Sequence, residues 1–212
     1  MMRRIVGTAS TTRTNRWRAA ILAAALSGLA MAACGDDGGK SPPAELPVCP
    51  AAEAALPGMR TGEAPWPAEL EHLGERLDQI GLPRLTQEGS ALDLHVQLSV
   101  EVDGDKVKVP SSIGLNGEEA TGGRMVSGFV SAIHTHDDSG LVHVHSPEVR
   151  PYTLGQLFDV WGVTLTQDRI GGYCAGGGRR LNVESNGKEI TGDPREVPLE
   201  DGQRISVAYG DD

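Results

Sequence analysis

Residues 92–102 have the sequence Leu-Asp-Leu-His-Val-Gln-Leu-Ser-Val-Glu-Val. Apolar and polar side chains alternate throughout this stretch, which is the period of a β-strand with one buried face. Asp103-Gly104 predicts a tight turn after the strand, and the valines at 107 and 109 predict a return strand. The stretch therefore predicts an antiparallel hairpin whose polar face carries His95.

A second hairpin and a helix are predicted further along the chain. Residues 126–133 and 141–145 form the two strands of this hairpin, and the polar residues 137–140 form its turn. Thr153, with Gln156 three residues later, predicts a capping box, and apolar residues then recur at helical spacing. Gly162 is expected to end this helix.

The other predicted elements are short. Apolar residues between 70 and 80 recur at helical spacing, which predicts a helix that begins at Pro67 and ends at Gly81. Residues 111–123 and 171–178 are rich in glycine and predict loops, whereas alternating residues at 181–183 and 205–209 predict two last strands. The predicted fold class is α+β: a small, mostly antiparallel sheet of about six strands with one or two short helices. Its closing half resembles β-grasp domains.

The first 33 residues have the features of an export signal. Five arginines precede an uncharged apolar run of 15 residues, which is shorter than the roughly 20 residues of a membrane span. Met31-Ala32-Ala33-Cys34 resembles the lipobox of bacterial lipoproteins, in which the cysteine becomes the lipidated first residue. The alternative is an ordinary signal peptide cut after Ala33, with Cys34 incidental.

The lipoprotein interpretation predicts the organisation of the whole chain. Residues 1–33 are a signal peptide, residues 34–66 a flexible Pro-, Ala- and Gly-rich tether, and residues 67–212 a single α+β domain. The protein is then expected on the extracytoplasmic side of the cell membrane, anchored by lipid at Cys34. If Cys34 carries lipid, Cys49 and Cys174 remain, and they predict one disulfide, with two free thiols as the alternative.

Composition and charge limit the classes of partner. The chain has 212 residues and 4% aromatic residues, which fits one domain with an aliphatic core. Its formal net charge is −10, and without the five signal arginines it is −15, because 14 basic and 29 acidic side chains remain. Since nucleic-acid phosphates require a basic surface, the sequence argues against nucleic acid as a partner.

Four of the six histidines lie within twelve residues: His134, His136, His143 and His145. A His-x-His pair on a strand places both imidazoles on one face. If residues 138 and 139 are the centre of the turn, His134 lies opposite His143 and all four imidazoles share a face. A slip of one residue would separate the two pairs. His95 joins them if its strand neighbours this hairpin, which the sequence leaves open.

Clustered imidazoles indicate a transition-metal site. Copper or zinc is the expected metal, and Asp137 could add an oxygen ligand to the five histidines at 95, 134, 136, 143 and 145. One alternative is a set of hydrogen-bonded histidines on a solvated sheet face. Another is a pH sensor, because neighbouring imidazoles repel one another when they become charged near pH 6.

The same residues resemble a group of uncharacterised exported bacterial proteins of actinobacterial type. The resemblance is carried by Ile-His-Thr-His-Asp-Asp-Ser-Gly-Leu-Val-His-Val-His-Ser-Pro at 133–147 and by Tyr-Thr-Leu-Gly-Gln-Leu-Phe-Asp-Val-Trp-Gly at 152–162. It covers about residues 92–210 and implies an exported lipoprotein with the same His-Thr-His-Asp hairpin, helix and closing hairpin. It implies no activity.

The sequence favours a binding protein over an enzyme. It contains neither the Gly-x-Ser-x-Gly of a serine hydrolase nor the Gly-Lys-Ser/Thr of a phosphate loop. The leading hypothesis is a lipid-anchored metal-binding protein for metal capture, delivery or sensing. A non-metal interaction module, with an envelope protein as its partner, is the main alternative. A metal-dependent hydrolase or oxidase would need three histidines, an open coordination position and a base such as Asp137 or Glu148.

Overall fold

Residues 92–102 form the predicted strand, and this strand, β1, lies inside the main sheet. The structure is a computed structural model that describes residue 49 and residues 55–211. The predicted signal peptide, Cys34 and residues 34–48 of the predicted tether lie outside the described residues. None of the helices within the described ranges has the length and apolar character that crossing a bilayer requires.

The described residues form two α-helices, one 3-10 helix and fourteen mostly short strands. The helices are α1 (Leu73–Ile80), α2 (Leu154–Trp161) and the 3-10 helix η1 (Pro194–Glu196). The strands are β1 (Leu92–Val102), β2 (Asp105–Val107), β3 (Leu115–Asn116), β4 (Glu119–Ala120), β5 (Arg124–Met125), β6 (Phe129–Val130), β7 (Ile133–His134), β8 (Leu141–Ser146), β9 (Leu165–Thr166), β10 (Arg169–Ile170), β11 (Tyr173–Cys174), β12 (Arg179–Ser185), β13 (Lys188–Glu189) and β14 (Arg204–Asp211).

The main sheet has the strand order β13-β12-β14-β1-β8-β7, and β2 also pairs with β1. Its neighbours are antiparallel except for β1 and β14, which run parallel with Val100 opposite Val207. The remaining strands form small sheets: β9 to β11, β3 with β6, and β4 with β5. The predicted α+β class with a mostly antiparallel sheet is therefore confirmed.

Strand alternation divides the main sheet into two faces. Val96, Leu98, Val100 and Val102 of β1 are buried in the core, as are Val142 and Val144 of β8. The opposite face, which carries the odd-numbered side chains of β1, is called the outer face below. Helix α2 contributes the buried Leu157, Phe158 and Trp161 to the same core. The amphipathic pattern thus separates an aliphatic interior from a polar surface.

Helix α2 begins and ends as predicted. The Thr153 hydroxyl accepts the backbone N–H of Gln156, and the Gln156 side chain accepts the backbone N–H of Thr153, which completes the capping box. Gly162 ends the helix in the left-handed conformation, with φ of 82°. Helix α1 also ends as predicted at Gly81, but it begins at Leu73 rather than at Pro67. The Glu69 backbone N–H is bonded to Trp161 instead of extending α1.

The predicted strand over 126–133 was wrong, because this stretch divides between β6 and β7. Gly128 has φ of 73° and passes so close to the Asn116 carbonyl that an added Cβ would lie 1.8 Å from its oxygen. A left-handed residue of this kind ends an extended strand. The predicted loop over 111–123 contains β3 and β4, which are two residues long each.

The last part of the predicted tether belongs to the folded domain. Trp66 is 2% exposed, and its carbonyl accepts the indole N–H of Trp161 at 3.1 Å. The backbone N–H of Arg60 donates to the carbonyl of Gly162 at 2.7 Å. A buried indole and backbone pairing exclude a free linker here, so the domain begins before the predicted residue 67. The predicted disulfide is confirmed, with the Cα atoms of Cys49 and Cys174 5.5 Å apart.

Candidate metal centre

Strand pairing gathers five imidazoles on the outer face. His134 of β7 lies opposite His143 of β8, and His143 lies opposite His95 of β1. His145 of β8 is paired in turn with Asp93 of β1. The predicted register of the histidine hairpin is therefore confirmed, and β1 is the neighbour that brings His95 to the cluster. His136 follows β7, and its ring centroid lies 4.7 Å from that of His143.

Three ligand atoms converge at the buried end of this cluster. Oε1 of Glu88 lies 2.8 Å from Nε2 of His134 and 3.2 Å from Nε2 of His136. The two Nε2 atoms are themselves 3.2 Å apart. His134 is fully buried, whereas the His136 side chain is 36% exposed. His145 contacts the other oxygen of the same carboxylate, with Nδ1 2.9 Å from Oε2.

The contacts of Nδ1 orient the rings of His134 and His136 so that Nε2 faces Glu88. Nδ1 of His134 lies 3.1 Å from the carbonyl oxygen of Ser131. Because a carbonyl only accepts, Nδ1 carries the proton and Nε2 keeps a lone pair. Nδ1 of His136 similarly faces Oε2 of Glu119 at 3.4 Å. In the neutral tautomers with the proton on Nδ1, both imidazoles turn an unprotonated nitrogen toward the Glu88 carboxylate, as metal-binding histidines with an outer carboxylate or carbonyl partner do.

Glu88 reaches the centre from a loop that is fastened to three neighbouring segments. Within residues 85–89, the backbone N–H of Leu85 donates to Val130 at 2.9 Å, that of Glu88 to Gly123 at 2.8 Å and that of Gly89 to His145 at 3.3 Å. At Gly89 an added Cβ would meet the backbone of Ser146 at 1.9 Å. Glycine thus permits the close approach that places the carboxylate over the histidines.

A second group lies beside the first, toward the solvent. His95, His143 and His145 each offer a ring nitrogen, and these three atoms lie within 4.8 Å of one another. Oδ1 of Asp93 is 3.3 Å from Nε2 of His145 and 3.5 Å from Nδ1 of His95. His145 therefore faces Glu88 with one nitrogen and Asp93 with the other. The His95 side chain is 42% exposed, so this group is the more accessible of the two.

The protonation states at the centre favour cation binding. Where the His134 ring is protonated, its hydrogen bond and charge hold the pKa of the Glu88 carboxyl down to about 2, against the opposing effect of burial. Burial lowers the pKa of His134, and burial together with the other imidazoles lowers the pKa of His143 to about 4. These directions favour an ionised Glu88 and neutral His134 and His143 rings at neutral pH, which is the state that metal ligands require.

Two buried ligand atoms have no hydrogen-bond partner among the described residues, Oε1 of Glu88 and Nδ1 of His143. The short contact between Oε1 of Glu88 and Nε2 of His134 brings two acceptors together, since the His134 proton is on Nδ1. Buried polar atoms without partners are costly, and coordination to a cation would satisfy each of them. The residues present therefore fit a metal ion.

A third set of possible ligands has a structural explanation. Glu69 lies near Glu71 and His72. Its carboxylate is ion-paired with the fully buried Arg76, which also donates to the carbonyls of Asp159 and Val160. The Glu69 carboxylate is therefore engaged in joining α1 to α2, and His72 contacts it at the surface.

All five predicted histidines lie in the two groups, and Asp137 does not. The Asp137 carboxylate is exposed and accepts the backbone N–H of Ser139 at 2.8 Å, so it serves the turn. Sequence reasoning missed Glu88, which supplies the carboxylate instead. Glu88 lies in a loop without periodicity, and the only local indication is the adjacent Gly89, whose close approach the sequence does not reveal.

The chain matches no protein-family model, no curated protein and no solved structure. The resemblances to exported bacterial lipoproteins and to β-grasp domains therefore stay predictions.

Proposed function

We propose that the protein is a lipid-anchored, extracytoplasmic metal-binding protein that holds copper or zinc at Glu88, His134 and His136. Its role would be to capture, deliver or sense the metal. The proposal combines the lipobox-like Met31-Ala32-Ala33-Cys34 with a site built from one carboxylate and two imidazoles. Imidazole and carboxylate ligands suit both metals.

The observation that carries the proposal is the convergence of three possible ligand atoms, one carboxylate oxygen and two imidazole nitrogens, in one small space. A tetrahedral ion with bonds of roughly 2.0–2.1 Å holds its ligand atoms about 3.3 Å apart. Two of the three separations at the site are 3.2 Å and the third is 2.8 Å. Acceptors at such distances repel unless a proton or a cation lies between them, and burial of His134 disfavours the proton.

The surroundings of the ligands support the same conclusion. Ser131 and Glu119 orient the two imidazoles from outside, which is the role of second-shell groups in metal sites. A non-metal interaction module would be favoured if His134 and His136 lay on a different face from His143. They lie on the same face, in contact with one another.

Metal content tests the proposal directly. The full chain, purified without a histidine tag, is expected to carry at least one copper or zinc ion by mass spectrometry, and His134→Ala/His136→Ala is expected to lose it. His72→Ala is the matched control, since His72 lies outside both histidine groups. Added metal should also raise the melting temperature, because saturation at 100 times Kd stabilises the native state by about 2.7 kcal/mol.

A clear negative result would overturn the proposal. In that result, wild-type protein dialysed against Cu(II), Zn(II) and Ni(II) contains no metal, and its melting temperature is the same with and without the ions. Equal metal content in wild type and in His134→Ala/His136→Ala would also contradict the assigned ligands. Protein partners of the cell envelope would then become the next object of study.

A further inference from the structure

We infer that the cluster holds two metal ions, the second bound by His95, His143 and His145 beside the ion at Glu88. This inference rests on the proposed function, because it extends the same site to a second ion. The second group offers three ring nitrogens within 4.8 Å of one another, and it shares only His145 with the group around Glu88. A single ion at Glu88, His134 and His136 leaves these donors unused.

The position of His143 is the first argument for the second ion. Its ring lies among the other four imidazoles, with centroids 4.7 Å from His136 and 4.8 Å from His95. Its Nδ1 is buried and has no hydrogen-bond partner among the described residues. A neutral imidazole has one donor and one acceptor nitrogen, and leaving a buried one unpaired destabilises the fold. Coordination of an ion by His143 removes that cost.

The two oxygens of Glu88 divide the cluster into two sites. Oε1 faces the ligands of the first ion, whereas Oε2 is 2.9 Å from Nδ1 of His145 and accepts its proton. In this tautomer His145 has a lone pair on Nε2 for the second group, where Nε2 also lies 3.3 Å from Oδ1 of Asp93. Glu88 therefore ligates one ion and orients a ligand of the other, as a carboxylate behind a metal-bound histidine does.

The charge of the surroundings suits two divalent ions. Four carboxylates contact the five imidazoles: those of Glu88, Asp93, Glu119 and Asp201. One divalent ion would balance two of these negative charges, and two ions would balance all four. The two ions would differ in accessibility, since His134 is fully buried whereas the His95 side chain is 42% exposed. The second ion is therefore the one that exchanges with solution.

Zinc stoichiometry tests the inference separately from the proposed function. Zn(II) is titrated into the metal-free full chain against a competing chromophoric chelator, and the bound ions per chain are counted. Wild type is expected to bind two, His95→Gln/His143→Gln one, and Glu88→Gln fewer than two. His72→Gln is the control and should bind two. Circular dichroism of each variant establishes that it is folded before it is titrated.

The outcomes separate the two ideas. One ion in wild type and one in His95→Gln/His143→Gln would overturn the second ion and leave the proposed function standing. Two ions in His95→Gln/His143→Gln would also overturn the inference, because the second ion would lie elsewhere. No ion in wild type would overturn the proposed function itself. One ion in wild type and none in that variant would show a single shared site, which contradicts the inference.

Discussion

The outer face of the main sheet has two halves with the same construction and different chemistry. The histidine half consists of β7, β8 and the first half of β1, and the closing half consists of β12, β13 and β14. Cross-strand pairing is regular in both. The outward pairs are Asp93 with His145 and His95 with His143 in the histidine half, and Asn182 with Ala208 and Glu184 with Ser206 in the closing half.

The difference between the halves lies in what covers them. In the closing half the Asn182 amide donates to Glu184 at 3.2 Å, and Oδ1 of Asn182 is the one buried side-chain atom of this half that lacks a partner among the described residues. In the histidine half the segment 85–89 brings Glu88 onto the imidazoles and leaves buried acceptors facing each other. Alternation alone thus makes an ordinary polar surface. A covering loop with a carboxylate converts such a surface into a candidate metal site.

Among the changes considered, removal of the Glu88 carboxylate should have the largest effect on zinc affinity. Glu88→Gln keeps the size of the side chain and removes its charge, so the affinity for the first Zn(II) is expected to fall about 100-fold or more. Glu184→Gln makes the same change in the closing half and should leave the affinity unchanged. Chelator competition measures both values. Equal affinities for Glu88→Gln and wild type would show that the loop does not make the site.

Displacement of the segment 85–89 without loss of a ligand should have the next largest effect on zinc affinity. Gly89→Ala places a Cβ 1.9 Å from the Ser146 carbonyl carbon, so the segment carrying Glu88 must move. We expect zinc affinity to fall about 10- to 100-fold and the free energy of unfolding to fall by about 1–3 kcal/mol. Gly192→Ala is the control, since nothing lies within 4 Å of the added atom there. Zinc titration measures the affinity, and urea unfolding measures the free energy of unfolding. Wild-type values of both in Gly89→Ala would disprove the role of the close approach at Gly89.

The metal-free protein should lose stability in acid through the histidine half. The folded pKa of His143 is about 4, below its ordinary 6.5, so the unfolded chain binds this proton more readily. Stability should therefore fall as the pH falls from about 6.5 to about 4, and below pH 4.5 Glu88, with its pKa of about 2, adds to the loss. Melting temperatures measured with a chelator present should decrease by several degrees over this range.

Substitution of the responsible histidine checks the sign of this effect. His143→Gln should flatten the dependence of the melting temperature on pH. His72→Gln should not flatten it, because contact with Glu69 raises the pKa of His72 and its contribution has the opposite sign. A wild-type melting temperature that rises on acidification would contradict the assignment of His143 as a neutral, half-buried ligand.

Transfer of histidines to the closing half should have the smallest effect. Asn182→His/Ala208→His places two imidazoles on a directly opposed pair of β12 and β14. The carboxylates beside this pair, those of Glu101 and Glu184, lie on the strands themselves and not on a covering loop, so they add no buried ligand like Glu88. We expect no additional ion at the Zn(II) concentration that saturates the wild-type sites. Tight binding of an extra ion would show that alternation is sufficient without a covering loop.

Local patterns predicted the elements whose residues depend on near neighbours. The alternation of β1, the capping box at Thr153 and the Gly162 end of α2 each involve a few adjacent positions. The register of the histidine hairpin was also predictable, because one parity only places Ile133 and Val144 in the core and the histidines on the outer face.

Features that depend on distant parts of the chain were not predictable. The place of β1 beside β8, which brings His95 into the cluster, is set by pairing across more than forty residues. The position of Glu88 follows from backbone bonds to Val130, Gly123 and His145, none of which leaves a local pattern. Asp137 shows the converse: it is adjacent to His136 in the chain, yet the turn directs its carboxylate to Ser139.

The parallel pairing of β1 with β14 has a consequence for the order of folding. The centre of the sheet joins Leu98 to Ile205, so its two middle strands are separated by the whole of the chain between residues 103 and 203. Until residues 204–211 are in place, β1 has one open edge and β12 lacks its long partner. Because such distant contacts form slowly, the pairing of β1 with β14 is expected to be among the last steps by which the sheet assembles.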